Sequence, residues 1–271
     1  MSKRVPEYAL QPMKDVLSYV NEAERLLQMS IKGVSGLRGM PSIIEVLAKV
    51  EAMDPDDGQP KHRFPIEQAN EFAQFAQKEI DSGFPLLHAH TLVGIWGAFE
   101  AGVEDMLVGI LINEPELLQD QAFGKVRISL AEFEVLDKED RMRLLLEELA
   151  RAQGTTRKQG VDKFEALLDR FQLSGPLDAE HKKSLWEMHH IRNVIVHRSS
   201  IADRRLVANC PWLALKVGQK VVITHAALFQ YFSAVCGYLT DIVHRLCKRY
   251  KVETAPESDQ FSLSNLEIDK N

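Results

Sequence analysis

Apolar residues recur at helical spacing through most of this chain, and little of it alternates as a half-buried strand would. Val16, Tyr19, Val20, Ala23, Leu26 and Leu27 predict a first helix over Met13–Ser30, with residues 1–12 as a loose arm before it. Gly33, Gly36 and Gly39 break the pattern, and Pro41 opens a short second helix over Ser42–Met53. The stretch 54–64, DPDDGQPKHRF, reads as a loop from its Pro, Gly and Asp content. A third helix is bounded by Pro65 at its start and Ser82-Gly83 after its end. The longest candidate covers Leu86–Ile112 and carries Leu87, Val93, Trp96, Phe99, Val103, Met106, Leu107 and Ile110. Gly94, Gly97, Gly102 and Gly109 are each unfavourable inside a helix, so together they imply the close approach of a second helix.

The second half continues in the same manner. VRISL, Val126–Leu130, reads as a short strand or extended chain, and Lys138–Ala152 as a strong helix with Met142, Leu145, Leu146 and Leu149 inward. The basic turn 154–160, GTTRKQG, leads into a short helix over Val161–Phe171. Lys183–Arg198 is amphipathic, with a cap near Asp178, and a polar loop follows it over Ser199–Asn209. Trp212–Val217 and Lys220–Ile223 flank Gly218-Gln219 and predict a small hairpin. Thr224–Tyr250 is the last long helix, with a stripe through Leu228, Tyr231, Phe232, Val235, Leu239, Ile242 and Leu246. Its basic end suits the negative pole of a helix dipole. The expected class is all-α: a helical bundle with extra N-terminal helices and at most a minor β-hairpin. Three parts are expected: an N-terminal helical extension (1–82), a helical domain (83–252) and an acidic disordered tail (253–271).

Composition narrows the function. The chain has 271 residues and a net charge of -6, which argues against a general polyanion-binding surface while leaving room for a local basic pocket. Cys210, Cys236 and Cys247 form no CxxC and no framework, as in a reducing compartment. The opening MSKRVPEYAL lacks an apolar h-region, and Phe84–Ile112 is interrupted by His88, His90, Glu100, Glu104 and Asp105. A cytoplasmic protein is expected. No GxxxxGK[ST], GxGxxG or GxSxG is present, so no cofactor is expected.

The candidate chemistry lies in KSLWEMHHIRNVIVHR, Lys183–Arg198. At about 100° per residue, Met188, Ile191 and Ile195 share the side a core would take. Trp186, His189, His190, Asn193 and His197 fall roughly opposite, with Arg192 on their flank. A solvated face is normally Lys, Glu and Gln, so this one invites a chemical or an interface role. Arg192 and His197 splay within one helix; a symmetric dimer would bring two copies together and bury the histidine-rich face. EMHH lacks the i, i+4 spacing of HExxH, and no further ligand is fixed for His190 and His197, so no metal is expected.

Arg192–His197, RNVIVH, resembles the R-x4-H motif of the HEPN superfamily, in its R-N-x3-H form. The likeness extends to LVGIWGAFEAGVEDML from Leu92, with Trp96, Phe99 and Glu100, and to the loop and long terminal helix after His197. It covers roughly Phe84–Tyr250 and leaves the first 80 residues unexplained. The resemblance implies a HEPN-like bundle and a metal-independent endoribonuclease whose composite site forms across a homodimer, in a toxin–antitoxin, stress or anti-phage role. Under it, His197 moves the proton of the 2′-hydroxyl or leaving oxygen, Arg192 holds the scissile phosphate, and Asn193 orients the histidine or donates to phosphate. Glu100 is a supporting candidate as partner of Arg192, and His189 and His190 are weaker ones, with interface or surface packing as their plain reading. Arg198, Arg204 and Arg205 are candidate RNA contacts through phosphate attraction, as is the turn Arg157-Lys158. An antitoxin or other partner protein is also implied. One toxin subgroup carries a modified Tyr two residues past the motif histidine; Ser199 stands there in this chain. The alternative is a non-catalytic helical dimerisation or interaction module, with Arg192 and His197 in structural roles.

Overall fold

The computed structural model describes residues 4–53, 65–154 and 158–252. The loop 54–64, Arg157 and the tail 253–271 lie outside the described residues. Ten α-helices are described: α1 (Glu7–Leu37), α2 (Met40–Met53), α3 (Ile66–Ser82), α4 (Pro85–Asn113), α5 (Leu130–Val135), α6 (Lys138–Ala152), α7 (Val161–Leu168), α8 (Ala179–Arg198), α9 (Arg204–Asn209) and α10 (His225–Arg249). The protein is all-α: among the described residues there is no strand, and Ile201 and Lys220 form an isolated antiparallel bridge.

Polar side chains start the helices where the sequence changes register. Asp137 accepts from the Asp140 N–H at 2.9 Å, Asp178 from those of Glu180 and His181 at 3.0 Å, and Asp203 from that of Leu206 at 2.8 Å. Each satisfies donors that a helix leaves unpaired in its first turn. Gly83, at φ 74°, ends α3 in the left-handed region, which costs glycine nothing and turns the chain into α4.

The centre of the molecule is α4, buried along its length from His88 to Leu111. The long helix α1 lies along it. A methyl on Gly109 would overlap the Tyr8 carbonyl oxygen, one on Gly102 would overlap Val16, and one on Gly94 would meet the Tyr19 hydroxyl. Those three glycines therefore form the seam for α1, whereas Gly97 faces open space. One hydrophobic core runs from Ala9, Met13 and Val16 of α1 through α4, α6 and α7 to α8 and α10. The N-terminal extension thus begins with a helix that shares its core with the later ones.

Two carboxylates knot the helix ends. Glu114, after α4, accepts from Tyr8 of α1 and from Arg249 and Tyr250 at the end of α10. Glu165 of α7 accepts from Tyr238 at 2.6 Å and Arg245 at 2.7 Å, both on α10, and from the Gly175 N–H at 3.0 Å.

Two local expectations are corrected, and of the two readings of VRISL the extended one holds. The arm over residues 1–12 is helical from Glu7, because Pro6 can precede a first turn and Tyr8 and Ala9 pack on α4. The predicted hairpin around Gly218-Gln219 does not form: Pro211–Leu213 is a 3-10 turn. The 218–221 segment instead bonds to 200–202, with Ala202 N to Gln219 O at 2.8 Å and Val221 N to Ser200 O at 2.7 Å. VRISL is extended without a strand partner up to Ser129, and Leu130 opens α5.

Candidate functional site

Helix α8 carries the candidate residues through the interior of the bundle rather than along its rim. It packs on α4 and α10, with α7 and α9 against it. Ser184, Leu185, Met188, His190, Ile191 and Val194 are buried, and Ile195 is half-buried. A helix covered from several sides has no single outward sector, so the polar face read from periodicity is divided among different neighbours.

His189 turns to α4, its ring 5.4 Å from that of Trp96. Burial, with the charges of His190, Arg192 and Lys163, pushes its pKa down to about 4. His189 is therefore neutral at physiological pH. The Asn193 Nδ2 group lies 3.1 Å from His189 Nε2 and donates to it. Asn193 Oδ1 in turn accepts from Arg192 Nη1 at 3.2 Å, and Arg192 Nη2 reaches Glu100 of α4 at 3.5 Å. A connected chain thus runs His189–Asn193–Arg192–Glu100. It fixes the guanidinium at one end and the amide in the middle, while Arg192 Nε is buried without a partner. Arg192 is still 28% exposed, so it is held but not covered.

His190 lies edge-on to His189, ring centroids 5.2 Å apart. It stands edge-on to Trp186 at 5.0 Å, and the indole Nε1 donates to the Asn209 carbonyl at 3.2 Å. Burial lowers the His190 pKa, against the opposing pull of the Asp203 carboxylate. Within one chain α4 and the α9 segment already leave Trp186 and His189 half-buried and His190 buried, so this face does not stand open to water as the periodicity suggested.

His197 alone of the five is exposed. It lines an open hollow of about 750 Å³ with Arg198, Arg204, Arg205, Asp203 and Gly218. Ser199 and Ser200, both at positive φ (50° and 64°), fold the chain back after α8 and bring α9 beside the end of that helix. None of the three arginines has a salt bridge among the described residues, whereas Asp203 is occupied in capping α9. The hollow therefore has surplus positive charge beside an imidazole. In contrast, Arg192 faces α4, so the two motif residues diverge within a single chain.

Sequence reading took Arg198, Arg204 and Arg205 together as candidate RNA contacts; the structure places all three on one hollow with His197. It did not anticipate Asp203 and Gly218 as parts of the same wall. The cap signal of Asp203 before RRL was the available clue to α9. Lys158, from the basic turn, lies elsewhere, on a polar hollow with Trp186 and Asn209. Among the described residues, no group of three or more His, Cys, Asp or Glu is placed to hold a metal. Compared with family models, curated proteins and solved structures, the chain finds no match in any of the three.

Proposed function

We propose that this protein is a metal-independent endoribonuclease of HEPN type, acting in the cytoplasm as a homodimer with a composite site. The observation that carries the reading is the hollow at the end of RNVIVH. An exposed imidazole there shares its walls with three arginines that have no salt bridge among the described residues. Such a hollow attracts a phosphodiester backbone by charge alone. In the proposed reaction, the ribose 2′-oxygen attacks the adjacent phosphorus as a base takes its proton. The P–O5′ bond breaks, and the leaving oxygen takes a proton from an acid. The products are a 2′,3′-cyclic phosphate and a 5′-hydroxyl end. His197 of one copy and its counterpart in the second serve as base and acid, since an imidazole can do either near neutrality. Arg192 offsets the negative charge that grows on the phosphate, and a guanidinium suits that geometry. Glu100, Asn193 and His189 act as positioning residues for Arg192. A toxin, stress or anti-phage setting, with an antitoxin or other partner, follows from the same resemblance.

A second reading is favoured by the chain His189–Asn193–Arg192–Glu100, which joins its members without any substrate. A purely structural arginine in an interaction module would look the same. Mixed RNA incubated in EDTA with the parent and with His197→Ala separates the two. The nuclease reading expects cleavage by the parent, cyclic phosphate ends, and a loss of at least about 100-fold in the variant. Absence of cleavage by the parent favours the module, and equal cleavage by the variant removes His197 from the reaction.

A further inference from the structure

Helix α2 carries the least explained surface of the molecule. On α2, Ile43, Val46, Leu47 and Val50 are 58%, 57%, 54% and 58% exposed. Their spacing, i, i+3, i+4 and i+7, sets them within an arc of about 100°. A face of that pattern normally points into a core; here it points to solvent. Glu45 falls on the far side of the helix by the same count, and Lys49 on the flank next to Val46. The helix packs chiefly on α3, so among the described residues the stripe is left over after the intramolecular contacts are made.

We infer that α2 is a self-association surface, with the α2 stripe of a second copy of this chain as its occupant. Three features of the stripe favour a second copy. An isologous contact sets each residue against the same patch of its partner, so a charged stripe would repel itself; this one carries no charge. Two antiparallel stripes also match in volume. With the two-fold axis between Val46 and Leu47, Ile43 of one copy meets Val50 of the other, a larger side chain against a smaller one. The size fits as well. The four side chains expose roughly 400 Å² of apolar surface, and homodimer interfaces are about 65% apolar, which implies about 600 Å² per partner. That is the lower edge of a standard specific interface. The inference goes beyond the nuclease reading and does not rest on it, because α2 lies outside the segment that resembles HEPN proteins.

Sedimentation velocity of the full chain from 1 to 100 µM is the test. The expected result is concentration-dependent association of the parent and a species of half as many copies for the Val46→Asp/Leu47→Asp variant, with unchanged helical circular dichroism. Cysteine substitution supplies a second readout on a protein that needs no destabilising charge. Val46→Cys, near the axis, should give a covalent dimer under a copper–phenanthroline oxidant, and Glu45→Cys, on the far side, should add nothing to the parent background. A parent that stays monomeric at 100 µM overturns the inference, as does an association state that both aspartates leave unchanged. A monomeric variant that still cleaves RNA removes the composite nuclease site while leaving the α2 pairing intact, so the two failures are distinguishable.

Discussion

The carboxylate of Glu100 on α4 meets the guanidinium of Arg192 on α8 at 3.5 Å, joining the two helices that the sequence resemblance singles out. Both partners are about 30% exposed, so solvent weakens the pair. Replacing Glu100 with Gln leaves Arg192 with Asn193 as its remaining partner. The expected loss is about 1 kcal/mol of stability, read by urea denaturation. Under the nuclease reading, kcat falls in the same variant while RNA affinity at the arginine hollow is retained.

The depressed pKa of His189 gives acid a specific point of attack. The unfolded chain protonates this ring near its ordinary value of 6.5, whereas the folded protein resists until about 4. Below 6.5 the unfolded state therefore binds more protons, and stability falls as pH drops through that window. The full effect of this ring is at most about 3 kcal/mol, and His190 and His88, both lowered by burial, act in the same direction. His189→Gln should lose less stability than the parent between pH 7 and pH 4.5. An equal loss in the two proteins would mean that this ring is not what acid attacks.

The glycines of α4 make a paired prediction. At Gly109 an added methyl would run into the Tyr8 carbonyl oxygen, which is backbone and cannot rotate away. Gly109→Ala should force α1 off α4 and cost about 2 kcal/mol or more. At Gly97 nothing lies within 4 Å of the position a methyl would take. Gly97→Ala should stabilise by about 0.5–1 kcal/mol through helix propensity alone. Thermal melts of the two variants should therefore move in opposite directions.

These glycines also show how far the sequence could be read. Four breakers inside one strong apolar helix implied a close neighbour, but which three of them form the seam depends on how α1 crosses α4. Periodicity located α6 and α10 to within a residue or two, since each alternates faces over several turns, and a long apolar run between Pro85 and Asn113 located α4. It failed for His189 and His190, because a helix covered from several sides has no face that is simply outward. It failed again near Gly218, where the turn serves the bridge between Ile201 and Lys220 rather than a local hairpin. That pairing spans α9, so no adjacent pattern announces it. The convergence of Arg198, Arg204 and Arg205 depends in the same way on the positive φ values of Ser199 and Ser200.

Glu114 makes the largest stability prediction. Its carboxylate receives Tyr8, Arg249 and Tyr250, and Arg249 also donates to the Phe171 carbonyl at 2.7 Å. The Arg249 and Glu114 side chains are only 11% and 16% exposed. Removing one partner of such a pair leaves the other charge buried, at a cost of about 3–5 kcal/mol. Glu114→Ala should lower the thermal midpoint by several degrees and release the start of α1, which hydrogen exchange at the first turns would register. Arg249→Met in the Glu114→Met background should recover part of the loss, because it removes the stranded charge.

The arginine hollow makes a prediction that depends on salt rather than on catalysis. If Arg198, Arg204 and Arg205 meet RNA phosphates, each releases counterions on binding, and affinity falls linearly on a logarithmic salt scale. With single-stranded RNA, each Arg→Ala substitution should lower the magnitude of that slope by about 0.7. All three arginines leave the core intact on removal, since none has a salt-bridge partner among the described residues. His197→Ala should abolish cleavage while the strand stays bound, because the three arginines still attract it. Slopes that stay equal across the arginine variants would show that the hollow does not hold RNA, whatever cleavage is observed.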